Sequence, residues 1–430
     1  AQARRQSAAF PAAAIGALSL APMLGPQSQV QRRSSPGRAR RAPVTERPGP
    51  DPDGLAEYSV VYTGRALNHM SAKFQGVMRE VSATLKQVYQ AHSVALVPGS
   101  GSFAMEAVAR HFGTGCPCVV LRNGYFSYRW SQIFEAGSIP SEEIVLKARP
   151  VEGGATPAYA PCGLAEVVAT IRRERPGAVF APHVETSSGI MLPDAYLRAV
   201  ADAVHEVGGF LVLDCIASGC MWLDMAAVGV DVLITAPQKG WSAPAGAGIV
   251  LLSRAARERL DATRATCFAV DLKKWAAVME AYEQGGHMYH TTMPTDAITS
   301  LREVQRESAA YGFERLRREQ LELGVAVRRL LSDQGFKSVA AEGYGAPGVV
   351  VSYTADPEMK SGAKFAAQGM QIAAGVPLMV DDFTQSPEFR TFRLGLFGID
   401  KLQRIPETVG RLEQALGAIA RTQGAPAARL

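Results

Sequence analysis

Short apolar runs rich in β-branched residues alternate with helical patterns from about Ser71 onward. That alternation is the signature of βαβ units around a mostly parallel sheet, and so of an α/β fold. The runs predict strands at 94–97, 118–122, 178–181, 210–213, 232–235 and 248–252, with helices between several of them, such as 164–175 and 194–207. After Pro294 a long amphipathic pattern continues toward Gln334. A second, smaller set follows, with strands near 348–353 and 392–396 and helices near 361–374 and 406–421. No internal repeat is visible. The expected division is a leader over 1–50, a large domain over 51–295 and a small C-terminal α+β domain over 296–430.

Composition narrows the class. With 430 residues and 47% hydrophobic content the chain can bury the core of one large and one smaller domain. The net charge of +5 is misleading, because residues 1–50 hold eight Arg, no Lys and a single acid, Glu46, a local balance of +7 that leaves residues 51–430 at −2. A nucleic-acid interface needs its basic residues on the folded domain, so none is expected. No stretch reaches the roughly 18 uninterrupted apolar residues of a membrane span.

The acid-poor, Arg- and Ser-rich leader reads as an organelle transit segment for a mitochondrion or plastid. A disordered tail of biased composition on a cytoplasmic protein is the alternative. At the other end Ala428-Arg429-Leu430 is similar to a peroxisomal address. The six cysteines lie in apolar or strand-like surroundings and lack zinc-site spacing, so no metal is expected. Cys116 and Cys118 form a lone C-x-C, which reads more readily as two small buried hydrophobes than as a redox or metal pair.

Three elements carry the chemistry. In Val97-Pro-Gly-Ser-Gly-Ser-Phe-Ala-Met-Glu106 a strand ends in glycines and opens directly into a helix, offering backbone N–H groups and a positive helix end to a phosphate. The same spacing, Gly99-x-Gly101-x-x-Ala104, fits a dinucleotide fingerprint, and a purely structural turn is a third reading. The ribose-binding acid of a dinucleotide site is missing where it is expected, at Leu121-Arg122-Asn123-Gly124. Next, the apolar strand ending in Asp214 places a carboxylate where open α/β sheets bind ligands, although such a residue can equally cap a turn. One βα unit later Lys239 follows the run Val232-Leu-Ile-Thr-Ala-Pro-Gln and precedes Gly-Trp. A lysine after a strand is usually solvated; this one has apolar neighbours and is expected to be enclosed. An enclosed lysine with a lowered pKa can form an imine with an aldehyde. With a carboxylate for a pyridinium nitrogen and a turn for a phosphate, the set fits pyridoxal phosphate.

The blocks GSGSFAMEA, HVETSSG, LDCIASG, PQKGWSAPAG and FRLGLFG resemble the class V aminotransferases, most closely the alanine–glyoxylate and serine–pyruvate members, over roughly residues 85–416. The resemblance implies an aspartate-aminotransferase-like, fold type I architecture with a seven-stranded, mostly parallel sheet. It implies Lys239 as the Schiff-base lysine, Asp214 as the pyridinium partner, and Ser100, Gly101, Ser102 and Gln238 as the phosphate cradle. Thr186 matches the hydroxyl near the ring's phenolic oxygen, and Phe126 stands at the position of the stacking aromatic. Tyr289 and Thr292 match residues that complete the phosphate site of the partner subunit, which implies a homodimer. Arg393 matches the arginine that clamps the substrate carboxylate; a strand-edge surface arginine is the alternative.

The implied reaction is transamination between a small amino acid, alanine or serine, and a small 2-oxo acid, glyoxylate or pyruvate. Two departures bear on the substrate: a stretch beginning Tyr58-Ser-Val-Val-Tyr-Thr-Gly-Arg replaces the family's Pro-Gly-Pro loop, and Phe replaces the Trp of the nearest relatives at 126. A lyase or desulfurase of the same class is the nearest rival, but no cysteine follows Cys267 to serve a desulfurase. A nicotinamide-dependent oxidoreductase using the Gly99 turn is the rival from another class.

Overall fold

A computed structural model describes residues 49–424, so the expected leader and the Ala428-Arg429-Leu430 address lie outside the described residues. The large sheet has seven strands: β1 (Ser93–Pro98), β2 (Pro117–Arg122), β3 (Glu142–Lys147), β4 (Ala178–Pro182), β5 (Phe210–Asp214), β6 (Val232–Thr235) and β7 (Ala247–Leu252). Their order is β1-β7-β6-β5-β4-β2-β3, and β7 runs antiparallel to both neighbours while the other pairings are parallel. The central strands are buried on both faces, which is why they read as unbroken apolar runs rather than as alternation.

Six of these strands coincide with the predicted ones; β3 was not predicted. It is an edge strand that starts with two exposed glutamates, so it lacks the apolar run that betrays the others.

Helices cover the sheet. The helix α1 (Ala72–Tyr89) begins at Ser71, whose side chain accepts from Phe74 N, and buries Phe74, Val77, Met78, Val81 and Leu85 at helical spacing. Beyond β1 comes α2 (Gly101–Phe112), and beyond β2 comes α3 (Tyr125–Gly137).

The amphipathic run after Pro294 is two helices, Thr295–Tyr311 and Phe313–Asp333, because Gly312 sits at φ 104 and ends the first. The second sheet has three antiparallel strands, β8 (Val349–Tyr353), β9 (Ala373–Ala374) and β10 (Thr391–Gly395), in the order β8-β10-β9. The expected helix at 361–374 is incorrect. Two short helices, Pro357–Ser361 and Ala363–Ala366, are separated by Gly362 at φ 87, and Gly369 at φ 73 precedes the strand. Both glycines occupy left-handed backbone that a continuing helix does not visit. The expected helix near 406–421 is present as Ile405–Gly424. Among the described residues no helix is long and apolar enough to cross a membrane.

Candidate active site

Parallel strands deliver their C-terminal ends to one edge of the sheet, and the side chains singled out above gather there. Asp214 ends β5, flanked in register by Pro182 of β4 and Ile234 of β6. It is 8% exposed, and its Oδ1 accepts from Ile216 N at 2.9 Å. Burial pushes its pKa up to about 6, against the backbone hydrogen bond and the nearby Arg129 and Lys239, which lower it. Among the described residues no donor meets its Oδ2, so this oxygen is open to whatever occupies the site.

Lys239 lies just past β6, half-buried, with Nζ 5.3 Å from the centre of the Phe397 ring. Burial holds its pKa below the usual lysine value; Arg393 and Arg129 add to this, and Asp214 opposes it. A neutral amine is the nucleophilic form, so desolvation and two neighbouring guanidinium groups prepare Lys239 for imine chemistry.

At the glycine turn, Gly99 takes φ 120, a conformation costly for any side chain, and releases the backbone into α2. Ser100 is the N-cap residue, yet its side chain makes no capping bond, and Gly101 opens the helix. Ser102 accepts from Arg129 Nη1 at 2.8 Å. Gln238 is exposed, beside Lys239.

Phe126 stands in the first turn of α3, held by a feature that sequence reasoning missed. Glu185, fully buried at the end of the HVE run, accepts from Phe126 N (3.1 Å), Ser127 N (2.8 Å), Ser127 Oγ (2.7 Å), Ser187 N (3.1 Å) and Ser187 Oγ (2.7 Å). A carboxylate at a helix N-terminus satisfies N–H groups that have no intrahelical partner and meets the positive end of the dipole. Gly124 permits the approach, since a Cβ there would stand 2.1 Å from Ser187 Oγ and 2.7 Å from Glu185 Cγ. Thr186, between these anchors, is half-buried and makes no side-chain hydrogen bond.

Arg393 comes from the second sheet. It lies on β10 opposite Val351 and donates Nε to Ala374 O at 2.8 Å. Its Cζ is 5.5 Å from the centre of the Phe126 ring, and Arg129 approaches the same ring at 5.4 Å. Burial lowers its pKa while Glu185 raises it.

Lys239, Asp214, Phe126 and Arg393 are therefore brought together with Arg129, which the sequence reading did not select. The visible signal for Arg129 was its position in NGYFSYR, three residues after Phe126 and so on the same helix face. Tyr289 and Thr292 are not brought to this cluster. Both are exposed, their hydroxyls lie 3.4 Å apart, and neither bonds the chain's own Ser100–Ser102 turn. A separate cavity of about 710 Å³, lined in part by His183, Trp222 and Arg317, contains none of these site residues.

The fold is that of the fold type I pyridoxal-phosphate enzymes. Solved structures agree: an alanine–glyoxylate aminotransferase from Nostoc sp. superposes with TM-score 0.70 at 22% identity, covering 83% of this chain and 89% of that one. A pyridoxamine–pyruvate aminotransferase from Mesorhizobium loti gives TM-score 0.71 at 18% identity over 84% and 88%. In sequence, the alanine–glyoxylate aminotransferase of Felis catus is 26% identical over 298 residues, 67% of this chain and 68% of that protein. The 2-aminoethylphosphonate–pyruvate transaminase 2 of Paraburkholderia xenovorans is 28% identical over 387 residues, 87% and 97%. No family model matches the chain. Within the fold type I class, the chain is an aminotransferase, similar to class V enzymes that include the alanine–glyoxylate aminotransferases.

Proposed function

We propose that this chain binds pyridoxal phosphate and, as a homodimer, transfers an amino group between alanine or serine and glyoxylate or pyruvate. One observation carries the reading most directly: a half-buried lysine and a buried carboxylate with a free oxygen meet at the strand ends beside Phe126 and Arg393. The residues fit the group. Asp214 Oδ2 lacks a protein partner and suits a protonated ring nitrogen, while Ser100, Gly101, Ser102 and Gln238 suit a phosphate. Tyr289 and Thr292, both exposed with their hydroxyls 3.4 Å apart, suit the phosphate of a partner subunit.

When bound, the cofactor supplies an electron sink for the bond-breaking step at the substrate α-carbon. Lys239 would hold it through Nζ and, when free, would carry the proton to and from the substrate α-carbon. Burial and the neighbouring arginines lower its pKa, which favours the neutral form that task needs. Asp214 would hold its charge toward the ring nitrogen, and Phe126 would cover the ring and exclude water. Arg393 would take the substrate carboxylate as a planar two-pronged donor. Thr186 would serve the ring's phenolic oxygen.

Lys239→Ala tests the reading. The purified parent should show visible absorbance and a borohydride-stable cofactor adduct, and should use alanine or serine with glyoxylate or pyruvate; the variant should lack the adduct and retain only trace turnover. Near-normal activity in the variant, or a parent that takes up no cofactor, refutes it.

A further inference from the structure

The proposed cradle of Ser100, Gly101, Ser102 and Gln238 offers hydroxyls, backbone and amide donors but no full positive charge. A phosphate carries one to two negative charges, and in a partly dry site charge-assisted hydrogen bonds are the strong ones. Arg129 stands beside this cradle. Its Nη1 donates to Ser102 Oγ at 2.8 Å, and its Cζ lies 5.4 Å from the centre of the Phe126 ring. It has no carboxylate within ion-pair reach among the described residues, although Arg side chains elsewhere on the surface of the chain are paired repeatedly. Its field reaches both Asp214 and Lys239, so the charge is placed inside the site. A half-buried guanidinium that gives one donor to a cradle hydroxyl and stacks on the adjacent ring is held toward the cradle with donors to spare.

We propose that Arg129 is the cationic member of the phosphate cradle, binding the cofactor phosphate together with Ser102, while Arg393, near the same Phe126 ring, is left for the substrate carboxylate. The two guanidinium groups thus divide two anions between them. This assignment rests on the reading of the site as a pyridoxal-phosphate site.

Apoprotein prepared from the holoenzyme is titrated with pyridoxal phosphate and, separately, with pyridoxal, which keeps the aldehyde and ring but lacks the phosphate. Arg129→Gln should weaken pyridoxal phosphate by on the order of tenfold to a hundredfold while leaving pyridoxal affinity within about twofold, and should move the ³¹P resonance of the bound cofactor. Arg129→Lys should recover part of the loss, and inorganic phosphate should compete with pyridoxal phosphate less well in the Gln variant than in the parent. Equal weakening of both ligands overturns the assignment and makes Arg129 a packing partner of Phe126. Unchanged pyridoxal phosphate affinity overturns it too. A parent that binds neither aldehyde overturns the cofactor reading itself, a failure visible before any variant is made.

Discussion

Replacing Asp214 by Asn should stabilise the cofactor-free protein, although it removes a group central to the proposed chemistry. Burial raises the folded-state pKa of Asp214 to about 6, from the usual 3.8. A carboxyl whose folded pKa is raised favours folding only while protonated, so its contribution is intact below pH 3.8 and is lost as pH rises through 6. The shift of about 2 units corresponds to a penalty of about 3 kcal/mol above pH 7, falling below about 1 kcal/mol near pH 4. Asn is nearly isosteric and keeps an acceptor for Ile216 N, so the variant escapes the penalty without opening a cavity. Denaturant titrations of both apoproteins between pH 4 and 8 should show the advantage of Asp214→Asn growing with pH toward that limit. In the holoprotein the order should reverse, because the charge then faces a cationic ring nitrogen. An apo variant less stable than the parent at pH 8, or an advantage that does not change with pH, refutes the electrostatic account of this site.

Arg393→Ala should lower kcat/KM by on the order of a hundredfold, taking about 1.5–3 kcal/mol for each of two charge-assisted bonds, and should leave cofactor content unchanged. Arg393→Lys should restore part of it; loss of cofactor in the Ala variant would instead mark Arg393 as structural. Glu185→Ala strands the N–H groups of Phe126, Ser127 and Ser187 and should cost more than about 3 kcal/mol in denaturant titration; a change under about 1 kcal/mol contradicts the anchoring role. Fluorescent tags placed separately on each end should misdirect the protein in one case only, and diffuse cytosolic signal from both fusions argues against either address.

Six of the seven large-sheet strands were legible because a strand covered on both faces must be apolar throughout, and β3 was not because it opens with two exposed glutamates and buries only part of its length. The break at Gly312 and the loss of the helix at 361–374 turn on backbone angles at single glycines, which a periodicity count passes over. In the site, Lys239 and Asp214 were visible as charged residues at the ends of apolar runs. Glu185 stood in an equally visible run, but three of its five donors are backbone N–H groups, two of them brought from another segment, and such donors leave no mark on side-chain identity. Arg129 was hidden for a related reason: its meaning depends on Ser102, which reaches it only after β2 and the turn into α3 fold back beside α2.

Arg393 belongs to the three-stranded sheet, whereas Asp214, Lys239 and the Glu185-stapled turn carrying Phe126 belong to the seven-stranded one. The proposed grip on an incoming carboxylate and the proposed seat of the cofactor ring are thus mounted on different frames, with 5.5 Å between Arg393 Cζ and the Phe126 ring centre. A small rotation of one frame against the other alters that gap while leaving the lysine, the aspartate and the ring in register. Capture and release of successive amino and oxo acids can therefore be tuned by substitutions along the contact of the two sheets, far from any reacting atom, without loosening the cofactor.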